Sequence, residues 1–127
     1  MDRLILIAPT ETPLARMNAA ASWLESEGGG TIVAETKRNM MDSFEARSES
    51  DFSRLEALLS VKGIILTWKR RGPPRSGNVV AAFTTAETIA DLDDRDGMEK
   101  LLVLGWHPSD YSEWTERVQP QRMVLRK

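Results

Sequence analysis

The sequence predicts an α/β protein: a three-layer, open, mainly parallel sheet of four to five strands flanked by helices. Three observations carry this. Short continuous apolar runs at Leu4–Ala8, Gly63–Leu66 and Leu101–Leu104 read as strands buried on both faces. Segments with helical spacing lie between such runs, and a strand–helix–strand order needs crossovers that bring neighbouring strands parallel. The 127 residues suit one domain, spanning 1–127, of the Rossmann-like or flavodoxin-like plan.

Leu4–Ala8 is the first strand. Thr12 followed by Pro13 is an N-cap and a first-turn proline, and Leu14, Met17, Ala21 and Leu24 then recur on one helical stripe. Gly28-Gly29-Gly30 stops that helix and reads as its C-cap, not as a phosphate cradle. Trp23 lies off the stripe, as an indole at a subunit interface would. Thr31–Thr36 is the second strand. After a polar stretch from Lys37 to Ser50 with no clear pattern, Phe52, Leu55 and Leu59 share a helix face that leads into the third strand.

The segment from Asn78 to Phe83 fits two readings. One is a helix running to about Leu92, with Val79, Phe83, Ala86 and Ala90 on one stripe; it is preferred here, although Val79 and Val80 are poor residues for a first turn. The other is a strand closing an antiparallel hairpin, with Thr84-x-x-Glu87 as the capping box of a shorter helix. Lys100–Leu104 is a further parallel strand, Asp110-x-x-Glu113 opens a last helix, and Met123–Leu125 fits a short edge strand.

Composition removes many functions. With no cysteine and one histidine, the chain offers no disulfide, thiolate zinc site, iron–sulfur cluster or Cys nucleophile, and no metal or cofactor is implied. No apolar run approaches the ~20 residues of a membrane helix, and the N-terminus lacks a signal-peptide pattern, so a cytoplasmic protein is expected. The net charge of −2 hides a sorted distribution: Lys62–Gly77 carries five cations and no acid, whereas Thr84–Glu99 carries six acids and one arginine. Such a chain is a poor ligand for extended duplex DNA, but it can hold a localised anion or associate through complementary patches, as in a homodimer.

In an open parallel sheet, ligands lie beyond the carboxyl ends of the strands. That rule selects the loops Pro9–Thr12 after the first strand, Lys37-Arg38 after the second, Trp68–Asn78 after the third and Trp106–Ser109 after the fourth, and within them Thr10, Thr12, Trp68, Lys69 and Arg70 are the expected ligand contacts. On the helix reading it also selects Ser76, Gly77 and Asn78 as backbone donors. A nucleotide or nucleoside is the expected ligand class: hydroxyls and N–H groups for phosphate or sugar, cations for charge, and Trp68 to stack. No GxxxxGK[ST], GxGxxG, nucleophile elbow or calcium-loop register is present, and no catalytic residue is assigned. Glu35-Thr36-Lys37 is an ExK triplet of the kind metal-dependent nucleases place at a strand end, and it stands as a minor alternative.

Leu4-Ile5-Leu6-Ile7-Ala8-Pro9-Thr10, the Asp51–Leu66 helix and strand, Ser76-Gly77-Asn78-Val79-Val80-Ala81, and the strand Leu101–Gly105 together resemble the nucleoside 2-deoxyribosyltransferase-like group of small Rossmann-type domains. The resemblance follows element order over about two-thirds of the chain. It implies a nucleoside-type ligand without transferase activity, since Ala81 or Ala82 occupies the place of that group's nucleophilic glutamate.

Overall fold

A computed structural model describes residues 1–74 and 77–124. In chain order the elements are β1 (Asp2–Leu6), α1 (Pro13–Ser26), β2 (Gly30–Ala34), α2 (Lys37–Ser43), α3 (Glu49–Val61), β3 (Ile64–Trp68), β4 (Gly77–Ala82), α4 (Ala86–Asp93), β5 (Met98–Leu104), α5 (Pro108–Val118) and β6 (Gln121–Met123). The six strands form one sheet in the order β3-β2-β4-β5-β1-β6. Every pairing is parallel. The sheet therefore has one strand more than the upper expectation. Its order also departs from the 3-2-1-4-5-6 of the dinucleotide fold, because β1 stands between β5 and β6.

Alternation along the strands builds the three layers. Leu6, Ile32, Leu66, Val80 and Leu102 face α1, α2 and α3 through Met17, Leu24, Met40 and Phe52. Ile5, Val33, Val79, Leu101 and Val103 face α4 and α5 through Ile89, Leu92 and Trp114. Trp23 packs partly buried against the first of these clusters.

The preferred helix over Asn78–Phe83 is corrected: Gly77–Ala82 is β4. It lies between β2 and β5, so both faces are buried and Val79, Val80, Ala81 and Ala82 give no period-two signal. With patterning silent, the β-branched pair Val79-Val80 was the better guide. The alternative hairpin is corrected too, since β4 runs parallel to β2. Only residues 69–76 separate β3 from β4, short for a crossover that hops over β2. Thr67 Oγ1, on the α4/α5 side of β3, donates to the Gly72 carbonyl at 2.6 Å and starts this link along that face. All crossovers then share one hand, as parallel connections do.

Smaller shifts have local causes. Thr36 leaves β2 to cap α2, accepting from Asn39 N at 3.0 Å, so a helix occupies part of the stretch that showed no pattern. The cap of α4 is Thr85, which accepts from Thr88 N. The glycine run closes α1 as expected, with Gly29 N donating to Leu24 O and Gly28 N to Glu25 O.

Candidate functional site

The expected site residues fall in three places. Thr10 is exposed in the turn after β1, and Thr12 caps α1, its Oγ1 accepting from Ala15 N at 3.1 Å. Trp68, Lys69 and Arg70 close β3 and, with Lys37 and Arg38, line an open cleft of about 460 Å³. There Trp68 packs on Phe52 (ring centroids 6.0 Å apart) and beneath the Arg71 guanidinium at 4.7 Å. β3 and β1 are four strand spacings apart, roughly 19 Å, so the two groups do not form one small-molecule pocket. Gly77 and Asn78 open β4 at the opposite, amino end of the sheet. Gly77 N donates to Gly97 O, and the Asn78 amide to the Glu27 and Gly29 carbonyls. Ser76 lies outside the described residues.

The chain leaves β1 and β2 toward the α1–α3 face, and β4 and β5 toward the α4/α5 face. Among the strands that lead directly into a helix, the connections diverge at two places, between β2 and β4 and between β5 and β1; the helix-free link from β3 also departs from its neighbour β2, at the cleft beside Trp68. Such divergence opens the crevice in which α/β sheets bind ligands.

At the first divergence the protein fills the crevice itself. The Glu35 carboxylate accepts from Thr85 N (2.8 Å) and Thr85 Oγ1 (3.1 Å) at the start of α4, and Lys69 Nζ lies 3.1 Å away. Burial pushes the Glu35 carboxyl up, but bonds from Thr88, Thr85 and Lys69 outweigh it and hold the pKa below its ordinary value. Lys37 turns away to Glu49 at 2.7 Å, so the ExK pair does not converge. Among the described residues no group of three or more His, Cys, Asp or Glu side chains is placed to hold a metal.

The second divergence carries a buried cation that no carboxylate among the described residues pairs with. Arg16, one turn into α1, is 4% exposed. Its Nη1 donates to the Gly105 carbonyl at the end of β5 (2.8 Å), while its buried Nε has no partner. The guanidinium lies between the rings of Phe83 (4.9 Å) and Trp106 (5.3 Å). No carboxylate among the described residues pairs with it, and desolvation lowers its pKa. It remains a cation at neutral pH all the same.

Local backbone geometry creates this nest. Phe83 has φ +54, a left-handed conformation that bulky residues rarely adopt and that costs about 1–3 kcal/mol. Strict alternation would send its ring to the α4/α5 face; instead it packs with the α1–α3 cluster, against Arg16. At Gly105 a Cβ would stand 2.8 Å from the Tyr111 ring, so only glycine lets that ring lie on the end of β5. Arg16, Trp106, His107 and Tyr111 line the resulting crevice of about 450 Å³. It is flanked by the start of α1 and by that of α5, whose cap residue His107 makes no side-chain capping bond. Two helix N-termini and a buried guanidinium thus border one space; Asp110 stands in the first turn of α5, but no carboxylate among the described residues forms an ion pair with Arg16.

The loop after β5 drew attention to Trp106, but Arg16 and Phe83, which complete the nest, were missed. The available signal was spacing: Arg16, Ala20 and Leu24 stand at i, i+4 and i+8, and all three are buried. A charged residue on the buried side of a helix marks either an ion pair or a ligand. Compared with family models, curated proteins and solved structures, the chain matches none. No described helix is long and apolar enough to cross a membrane.

Proposed function

We propose that this domain binds a small phosphate-bearing, nucleotide-like ligand in the crevice between the carboxyl ends of β1 and β5. The observation that carries the proposal is Arg16, a buried guanidinium with one carbonyl partner and no carboxylate. Burying an uncompensated charge costs several kcal/mol, and an external anion at the crevice offsets that cost. Arg16 binds the phosphate, with the positive ends of the α1 and α5 dipoles beside it, and the half-exposed Trp106 ring takes the planar part. Of the residues expected from sequence, Thr10 and Thr12 remain beside this crevice; Trp68, Lys69 and Arg70 do not take part. The role is binding, with no catalytic group assigned.

The test is tryptophan fluorescence titrated with inorganic phosphate and nucleoside monophosphates. Saturable binding that falls at least about tenfold in Arg16→Gln supports the reading. Binding unchanged in that variant, or no binding by any member of the panel, refutes it.

A second reading, self-association, draws on three exposed apolar side chains, Leu58 and Val61 of α3 and Ile65 of the edge strand β3, each more than 60% exposed. The sorted charges lend it less, since several of them pair within the chain: Lys69 with Glu35, Arg71 with Glu56, Arg95 with Asp91. Sedimentation of the parent and of Ile65→Lys decides it, because a monomeric parent removes this reading.

A further inference from the structure

We infer that the ligand's ring is a nucleobase-type heterocycle, read by Asp42 and Asn39 through a hydrogen-bond donor and acceptor side by side on its edge. This rests on the anion site proposed above and adds the part of the ligand that Arg16 does not touch.

Trp106 lines two clefts. One holds Arg16; the other, of about 310 Å³, is bounded by Pro13 of α1, Phe83, and Asn39, Asp42 and Ser43 of α2. A ligand anchored at Arg16 therefore reaches the second cleft by passing the indole, and an aromatic wall favours a flat ring there. The polar groups at its far side are few and differ in kind. Asn39 Oδ1 accepts from Thr36 Oγ1 at 2.9 Å, which ties down the oxygen side of the amide and leaves its NH₂ as a donor. Asp42, one helical turn from Arg38, has that cation no closer than 3.9 Å, with both side chains exposed, so its oxygens are open to accept from a ligand.

One donor and one acceptor side by side favour a ring edge that carries the matching pair. Both groups stand at the exposed side of the cleft, so a plain aromatic ring or a bare sugar phosphate leaves them to water and forgoes their hydrogen bonds, about 0.5–1.5 kcal/mol for the neutral amide and about 1.5–3 for the carboxylate. A nucleobase edge supplies both partners: in adenine the exocyclic amine donates to Asp42 while the adjacent ring nitrogen accepts from Asn39. The polarity of the whole site agrees, with a cation at the phosphate end and a carboxylate at the base end.

The experiment compares the four common ribonucleoside monophosphates with ribose 5-phosphate and phenyl phosphate, in the parent and in Arg16→Gln, Asp42→Ala and Asn39→Ala. Asp42 and Asn39 are exposed, so their variants are expected to fold, which circular dichroism checks. At least one nucleotide should bind about tenfold or more tighter than ribose 5-phosphate. Asp42→Ala should remove that gain and leave ribose 5-phosphate binding unchanged. If AMP is the preferred ligand, its N6,N6-dimethyl analogue, which lacks the donor, should lose the gain in the parent and lose nothing further in Asp42→Ala. Phosphate binding that depends on Arg16 but shows no nucleotide gain, or a gain that survives both α2 substitutions, overturns this inference and leaves the anion site standing. Binding indifferent to Arg16 overturns both.

Discussion

Replacing Arg16 with methionine separates a ligand site from a structural tie. In the folded protein the guanidinium makes one charge-assisted bond to Gly105 O, about 1.5–3 kcal/mol, and two ring contacts of about 1 kcal/mol each. Against this stands the desolvation of an unpaired cation, several kcal/mol, so the two sides nearly cancel. Methionine removes the desolvation cost, fills similar space, and keeps a sulfur–aromatic contact of about 0.5–1 kcal/mol, while leaving the Gly105 carbonyl unpaired at about 1–3 kcal/mol. We expect stability within about 1 kcal/mol of the parent, a Tm change within ~5 °C. Inorganic phosphate at about ten times its Kd should stabilise the parent by RT ln 11, about 1.4 kcal/mol, and leave Arg16→Met unmoved. Thermal unfolding followed by circular dichroism, with chloride matched in ionic strength as control, reads both quantities. A variant destabilised by more than about 3 kcal/mol, or a phosphate shift equal in both proteins, would refute the reasoning.

Asp93 is nearly fully buried, and Arg3 grips it through Nε at 2.6 Å and Nη2 at 3.3 Å. Burial pushes its pKa up, but Arg3's bonds and charge, with Arg117 behind, bring it below the ordinary carboxylate value. The folded state then binds fewer protons than the unfolded one as pH falls through about 4, so stability should be flat above that point and drop below it. Asp93→Asn should cost about 3 kcal/mol at pH 7, the low end for a broken buried pair because Arg3 stays partly in water, and should flatten the acid limb in urea titrations at pH 7 and 3. Gly30→Ala places a Cβ 2.3 Å from the Asn78 carbonyl and should lose at least about 3 kcal/mol in the same assay. Glu35→Ala leaves the Thr85 cap without the carboxylate that holds its N–H and hydroxyl and should cost about 1–2 kcal/mol, with Glu35→Gln recovering part of it and neither variant altering phosphate affinity.

The elements with a polar side were legible, because their patterns declare which face is buried. α1 carried its cap, first-turn proline and glycine stop; α3 carried the spacing of Phe52, Leu55 and Leu59. β4 was not, since a strand buried on both faces between β2 and β5 has the same apolar run as a buried helix turn. That ambiguity moved Gly77 and Asn78 to the wrong end of the sheet. The position of β1 between β5 and β6 was equally hidden, because neighbours in a parallel sheet are set by which helices cover which face, not by order along the chain.

The two divergence points show why the rule that ligands bind at carboxyl ends locates a region but does not choose a site within it. Both open at the start of a helix, and both therefore present unpaired N–H groups and the positive end of a dipole. At the start of α4 that field is met by Glu35, which the sequence displays as an acid closing the second strand. Beside α1 the field is reinforced by Arg16, whose burial follows from the packing of α1 on the ends of β4 and β5. Counting charges along the chain treats the two residues alike, as one acid and one base near strand ends. Their burial and partners separate them: Glu35 completes a helix cap and needs nothing more, whereas Arg16 raises the electrostatic cost of an empty crevice. With no ion-pair partner among the described residues, Arg16 is the group at which the proposed anion gains most, which is why the Arg16 variants decide the reading.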